Sequence, residues 1–511
     1  MGSKMYRQRD KNQLTMEEFY LPFGNGLKAD NRWVRMAKII PWDVIEEIYA
    51  GELSEETGRP AIPSRIAFGA LYIKEQENLT DEGTVSYLSE NPYAQYFVGL
   101  KEFRTEPLFD ASMMVHFRKR FGMEGVGHIN EILYARSPLK AKADEEAREA
   151  DQADVSEEAD QSDHEDDDEP PDAGTGEEEK GPKNRGVLIL DATVAPADIH
   201  YPTDLNLLNE CRENTERMID RIWPYSDRQG HKTDYSRKKA RQAYLRVSKQ
   251  RKVKAKARNR AVSEQIEYIG KNLKTLECLI RQAGEEALKR LDMDRLTTIQ
   301  KVYEQQKQMR DTGVRSVPDR IVTLRQPHIR CIVRGKAGSP YEFGQKLHLS
   351  VVNGFTFIEE QSYDNFNEGI KLQEAAERYK ERMGSYPEAI LADTIYRNKE
   401  NRTYCKEHGI RLSGPKLGRP RKDEAEKDQQ QAYEDSVKRS VVESKNGIAK
   451  RRYGLDLIMA YSYEGGLVEA ALQILVMNVA HLLRFLLRLF GVHRMGRSWT
   501  IQPDFRTVLV A

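Results

Sequence analysis

Sulfur chemistry is almost missing from this chain. Its four cysteines among 511 residues (Cys211, Cys278, Cys331 and Cys405) stand far apart, with no Cys-x-x-Cys pair and no histidine at ligand spacing. That argues against a cysteine-built zinc site and a disulfide framework, and it fits a reducing compartment, so a cytoplasmic location is expected. An uninterrupted apolar run is missing too. The best stretch, Leu467–Phe490, is broken by Glu469, Gln473, Asn478, His481, Arg484 and Arg488. The pairs 469/473 and 484/488 are four apart and make a polar stripe on one helix face, as expected of an amphipathic helix docked on a core rather than one that spans a bilayer. The opening MGSKMYRQRDKNQ has no apolar centre of the signal-peptide kind. No membrane partner is expected.

Net charge is also absent, with 81 basic and 81 acidic residues, but the balance conceals a separation. Between Asp144 and Glu179 stand nineteen acids and a single base, Arg148, which leaves the rest of the chain at about +18. A basic body with one acidic segment points to a polyanionic partner, although a solvated basic surface gives the same count.

A length of 511 residues suggests about three domains. Residues 1–137 read as a helical domain, compact from about residue 30. Pro63 precedes apolar residues at helical spacing, Thr80 followed by Asp81 and Glu82 makes a cap, and Asn91-Pro92 breaks the chain. A last helix is predicted from Asp110 to Arg118-Lys119-Arg120, whose basic end suits a helix-turn-helix-like DNA binder or an ordinary helical bundle. Residues 138–184 read as an acidic disordered linker, because they hold too few apolar side chains to offset the entropy of ordering. Residues 185–495 then read as an α/β domain, followed by a tail over 496–511. The strand Gly186–Leu190 ends at Asp191. A long helical stretch, about 204–315, has a very basic centre that includes Arg237, Lys238, Lys239, Arg251 and Lys252, with Tyr235 and Tyr244 interleaved. Such a run of like charge calls for neutralisation, by phosphates or by the acidic linker. Strands follow at 329–333, 346–352 and 355–360, the last two joined by Asn353-Gly354, a hairpin signal. Helix 368–382 and strand Ala389–Leu391, just before Asp393, complete a mixed sheet with a large helical insertion after its first strand.

Asp191 and Asp393 each follow a short apolar run, and the carboxyl ends of strands are where ligand-binding groups gather in open α/β sheets. Acids after strands are also common turn and cap residues. Asp198 is a rival that fits helix capping better, and His200 reads as structural because it has no second histidine. In Ser436–Arg452 one acid stands among many bases. Arg439, Glu443 and Lys450, at spacings of four and seven, fall within roughly 40° of one another on one helix face. A carboxylate flanked by cations suits a site that holds metal and phosphate together, or an exposed salt-bridged helix. Oxygen donors alone indicate a hard ion, Mg²⁺ or Mn²⁺, and two such ions about 4 Å apart can activate an attacking oxygen and stabilise a leaving one at phosphorus. Lys416–Lys422, with Gly-Arg-Pro around Arg419, reads as a minor-groove arm or an exposed basic loop.

Several ordered blocks resemble prokaryotic insertion-sequence transposases of the DDE group. The stretches IPWDVIEEIYA and IPSRIAFGALYIKEQENLTDEGTVSYLSENPYAQYFVGL resemble that group's helical N-terminal domain. LDATVAPADIHYPTDLNLLNECRE resembles the first-aspartate block, ILADTIYRNKENR the second, and RSVVESKNGIAKRRYGL the glutamate block. The resemblance implies a ribonuclease-H-like catalytic core, with Asp191, Asp393 and Glu443 as catalytic metal ligands for two Mg²⁺ or Mn²⁺ ions. The group's Tyr-x2-Arg-x3-Glu-x6-Lys signature is met by Arg439, Glu443 and Lys450, but Ser436 stands at the tyrosine position and the nearest tyrosine is Tyr433.

The expected activity is cleavage at the element's terminal inverted repeats and joining of 3′ ends to target DNA, by a homodimer or larger assembly. Arg439, Lys450, Arg237, Lys238, Lys239, Arg251, Lys252 and Arg419 are the expected phosphate contacts. The alternatives are a nuclease that does not join strands, a catalytically silent DNA-binding derivative, and a protein that coats nucleic acid through charge alone.

Overall fold

The computed structural model describes residues 26–53, 60–146, 148–149, 183–226, 234–284, 288–333, 341–415, 425–489, 494–495 and 498–499. The acidic stretch 150–182, the Gly-Arg-Pro segment with Arg419, and most of the tail therefore lie outside the described residues.

The described chain opens with helices α1 (Arg32–Ile39), α2 (Trp42–Gly51), α3 (Ser64–Glu77), α4 (Asp81–Glu90), α5 (Pro92–Phe97) and α6 (Met113–Ala135). The sequence signals act as expected. The Thr80 hydroxyl accepts from the Gly83 amide at 3.0 Å, and the Asn91 side chain accepts from the amides of Tyr93 and Ala94. The helix expected to end near Arg120 kinks at Gly122 (φ 61°) and runs on to Ala135, because Val126, Ile129 and Leu133 continue its buried stripe. Helical turns also cover residues 138–146, the first part of the segment expected to be a linker. The basic end of that helix is largely committed internally. Arg118 grips Asp81 through two bonds of 3.0 and 2.6 Å, and Arg120 donates to the Tyr49 hydroxyl at 2.8 Å. Lys119 alone of the three is exposed.

A mixed sheet follows, built from β1 (Val187–Pro196), β2 (Arg330–Val333), β3 (Tyr341–Val352), β4 (Phe355–Ser362), β5 (Ala389–Leu391) and β6 (Arg411–Leu412). β3 is antiparallel to β1 on one edge and to β2 and β4 on the other, while β5 and then β6 run parallel to β1. The β3–β4 hairpin turns through Asn353 (φ 50°) and Gly354 (φ 78°), two successive left-handed residues, as a tight two-residue hairpin requires. β1 does not stop at Asp191. Thr193, Val194 and Ala195 are buried and pair with Gln345–Leu347, so Asp191 lies mid-strand, and the acid conceals a second apolar stretch.

Between β1 and β2 come α7 (Asp204–Ile222), α8 (Asp234–Ser248), α9 (Ala255–Ala283) and α10 (Arg290–Thr312), with an apolar centre of their own that includes Leu208, Ile219, Ile266 and Ile299. α11 (Leu372–Met383) lies between β4 and β5, and α12 (Lys399–Glu407) between β5 and β6. Two long helices follow, α13 (Ala425–Tyr453) and α14 (Tyr463–Leu489).

α14 is the central pillar, packed on α1, α3 and α6 and on β4, so the N-terminal helices and the sheet share one apolar core. It is the described helix long and apolar enough to cross a membrane, and here it lies mostly inside the protein. Its polar residues at 469 and 473 are not a solvent-facing stripe. Lys74 donates to Glu75 at 2.8 Å and to Glu469 at 3.1 Å, and Gln473 donates to Glu75 at 3.1 Å. Asn478 bridges Asn130 and the Thr356 carbonyl in the same buried layer. The polar side chains of α3 and α6 complete these groups, which burial alone would penalise. The outer pair, Arg484 and Arg488, is exposed as expected.

Candidate active site

Strand alternation sets the site. Side chains two apart point to the same face, so Ile189 and Asp191 share one face of β1, and Leu391 and Asp393 would share the matching face beside it. Ile189, Leu391, Ala389 and Val351 form an apolar cluster on that face, and Val442 of α13 inserts into it. β1 and β5 pair in parallel as Val187 with Ala389, Leu188 with Ile390 and Ile189 with Leu391. The pairing ends there: Asp191 continues along β1, while Asp393 lies two residues past the end of β5, at the N-cap of a short 3-10 turn.

With Val442 as its anchor, α13 brings a set of polar side chains to these two aspartates. Arg439 donates to Asp393 Oδ1 at 2.6 Å, and its other terminal nitrogen lies 3.7 Å from Glu443 Oε1. Asn446 donates to Asp191 Oδ2 at 2.8 Å. Residues 439, 443, 446 and 450 fall on one face at helical spacing, and Lys450 is half-buried on it. The hydrogen bond to Asp393 holds Arg439 firmly protonated, with the charges of Asp393, Glu443 and Asp191 adding to it against partial burial. One guanidinium thus sits in the field of all three carboxylates. Asp393 and Glu443 remain well exposed, at 62% and 65%. Among the described residues no three acidic, histidine or cysteine side chains converge tightly enough to hold an ion together. Ser436 and Tyr433 are both exposed on the preceding turns of α13.

Other residues near the site have no signal in the sequence. Tyr396, in the short 3-10 turn after Asp393, is buried, and its ring stacks on His348 at 5.7 Å. Burial raises the Tyr396 phenol far above its ordinary range, and the charges of Glu368, Asp191 and Asp393 add to the effect. His348 pairs with Ala192 across β1 and β3, next to Asp191, and burial lowers it to about 4. Asn446 could have been found, because it lies three residues after Glu443 and seven after Arg439 on the same face. Asp198, expected to cap a helix, does not. Thr203 caps α7, and the Asp198 amide donates to the Ile458 carbonyl.

The expected phosphate contacts of the insertion separate into two kinds. Arg237 is half-buried and bound to Asp220 at 2.7 and 3.0 Å and to the Glu216 carbonyl at 2.9 Å, which ties α8 to α7. Lys238, Lys239, Arg251 and Lys252 are exposed. They extend a surface that also carries Arg241, Lys249, Lys254, Lys256 and Arg258, while Ala240, Ala243 and Val247 face inward.

An acid in β1 and an acid just past β5 are each met by a side chain of α13, Asn446 and Arg439, and the same helix carries Glu443. Residues 390–480 match the family described as a transposase DDE domain, and residues 22–120 match a transposase domain of the DUF772 type. These two stretches are similar to domains of insertion-sequence DDE transposases. The first match covers Asp393 and Glu443, and Asp191 and the helical insertion lie outside both. An uncharacterized protein of the nfe locus of Rhizobium meliloti is 40% identical over 102 residues, which are 20% of this chain and 47% of that protein, so the chain spans about half of that relative's length. No solved structure matches.

Proposed function

We propose that this chain binds the terminal inverted repeats of its own element, cleaves the DNA there and joins the 3′ ends to target DNA. Asp191, Asp393 and Glu443 would be the ligands of two Mg²⁺ or Mn²⁺ ions. The observation that carries this reading is the Arg439 bridge between Asp393 and Glu443 beside Asp191. Two of the three carboxylates share one guanidinium and the third lies within its field, and their all-oxygen chemistry fits a hard divalent ion. When bound, such ions supply Lewis-acid polarisation of the phosphate and of the attacking oxygen. The order of β4, β3, β1, β5 and β6, three antiparallel strands and then two parallel ones, supports a ribonuclease-H-like core.

The chain's own residues would divide the remaining work. Arg439 and Lys450 would hold phosphate oxygens beside the acids, Arg439 through its planar fork. Asn446 would keep the Asp191 carboxylate aimed away from the core. The exposed cations of α8 and the segment after it would grip the DNA backbone without reading sequence. Because two element ends must be processed together, the working form would be a homodimer or larger assembly on DNA, acting in the cytoplasm.

The test is incubation of the purified protein with DNA carrying the sequences that flank its own gene, in Mg²⁺, Mn²⁺ or Ca²⁺, beside Asp393→Asn. The expected result is cleavage at defined ends with Mg²⁺ or Mn²⁺, lost in the variant, and joined products when target DNA is added. Cleavage that survives Asp393→Asn would move the active site elsewhere.

A further inference from the structure

We infer that Arg439 is a latch on the metal site: in the DNA-free protein its guanidinium occupies Asp393 and Glu443, and a DNA phosphate releases it, so that DNA binding and metal binding reinforce each other. This rests on the metal-carboxylate reading of the site and adds an order of events to it.

The geometry gives the latch its two states. One guanidinium donates to Asp393 at 2.6 Å and lies 3.7 Å from Glu443, so two of the three carboxylates are engaged by a cation of the chain itself. Asn446 engages the third, Asp191. A divalent ion entering this set must displace the arginine from two ligands, and it would meet the repulsion of a fixed positive charge until that charge moves. The arginine is able to move. Its side chain is one-third exposed and its partners are about two-thirds exposed, so solvent and an incoming phosphate can reach it. A phosphate offers the same bidentate acceptor geometry as a carboxylate. Once Arg439 turns to the phosphate, Asp393 and Glu443 lose their counter-charge and their affinity for a cation rises. Linkage makes the effect reciprocal: whatever factor DNA adds to metal affinity, metal adds to DNA affinity. Without DNA the same bridge neutralises the acid cluster, which would otherwise bring like charges together.

The experiment measures Mn²⁺ binding to the full chain by titration calorimetry and by the electron-spin signal of free Mn²⁺. It compares the wild type, Arg439→Gln, Arg439→Lys and the double change Arg439→Gln with Asp393→Asn, each with and without DNA carrying the gene's flanking sequences. Without DNA, Arg439→Gln is expected to bind Mn²⁺ about ten-fold or more tightly than the wild type, equivalent to about 1.4 kcal/mol. Arg439→Lys, which keeps the charge but loses the fork, is expected to fall between them, and the double variant to lose the gain. DNA should tighten Mn²⁺ binding to the wild type and add little to Arg439→Gln. Equal or weaker binding by Arg439→Gln would overturn the latch, and if the wild type still cleaved its ends the transposase reading would stand without it. No Mn²⁺ binding that depends on Asp393, in any form, would remove both.

Discussion

Asn446 and Asp191 meet at 2.8 Å across 255 residues of sequence, and this contact ties the glutamate helix to the middle of the first strand. The amide oxygen of Asn446 has no hydrogen-bond partner among the described residues, so the bond to the carboxylate anchors the side chain. Replacing Asn446 with alanine is expected to cost about 1 kcal/mol of stability, the usual worth of such a bond, but to slow cleavage by much more than that loss explains. Urea denaturation and a cleavage time course on the same preparation check it. A variant that cuts at the wild-type rate would mean that Asp191 needs no help from α13.

The buried Lys74–Glu75–Glu469 group joins the N-terminal helices to α14. Changing Glu469 to alanine removes one of the two acids facing a buried ammonium, and about 3 kcal/mol of stability should go with it. Changing Lys74, Glu75 and Glu469 together to methionine, glutamine and leucine should recover most of that loss. Denaturant midpoints of the two variants decide the matter, and a triple variant no better than Glu469→Ala would mean that the packing, not the charge, is what matters there.

The insertion makes a contrast that salt titration can read. Arg251→Ala and Lys252→Ala should each lower DNA affinity and reduce the slope of log affinity against log salt by about 0.9. Arg237→Ala should leave that slope unchanged and lower the melting temperature, since Arg237 is spent on Asp220 and Glu216. Fluorescence anisotropy at several salt concentrations separates the two. An equal loss of slope for all three would show that Arg237 leaves its internal partners to meet the DNA.

One buried histidine and two half-buried ones set an acid limit. Burial lowers His328, His348 and His481 each to about 4. The unfolded chain takes up these protons near pH 6.5 and the folded chain does not, so their contribution is complete above pH 6.5 and is lost as the pH falls toward 4. Glu75, which burial raises to about 7, acts the other way, and its contribution is complete below its ordinary 4.5 and lost as the pH rises through 7. Glu131 and Glu210, raised less by burial, act in the same sense as Glu75, and the three larger histidine shifts outweigh them to give a net fall in stability from pH 6.5 to 4. Urea midpoints across that range should show it, with a shallower fall in His348→Gln; parallel curves would rule His348 out.

The parts of the site legible in the sequence were those set by local periodicity. The spacing of Arg439 and Glu443 fixes their shared face, and Asn353-Gly354 fixes the hairpin that brings β4 beside β3. The approach of the Asp191 and Asp393 segments was not legible, because it depends on a parallel register between strands 202 residues apart. Nor was the role of Glu469 and Gln473, whose polarity suggested a wet face. Their partners Lys74 and Glu75 stand nearly 400 residues earlier, and no local pattern announces that a polar stripe will be met by another inside a core. Arg237 reads like its neighbours in composition, and only the fold distinguishes an internal strut from a surface charge.

The shared core also has a consequence for how the protein is made. The apolar faces of α3 and α6 are covered by α14, which a ribosome reaches some 400 residues after Tyr72. At roughly 5–20 residues per second the nascent helices would wait about 20–80 seconds for their cover. An unfinished chain therefore emerges as an uncovered half-core, open to chaperones and proteases, and the N-terminal helices gain their settled form only when the segment carrying Glu443 has also been synthesised. Translation itself would thus limit the supply of fragments that could occupy DNA without being able to cut it.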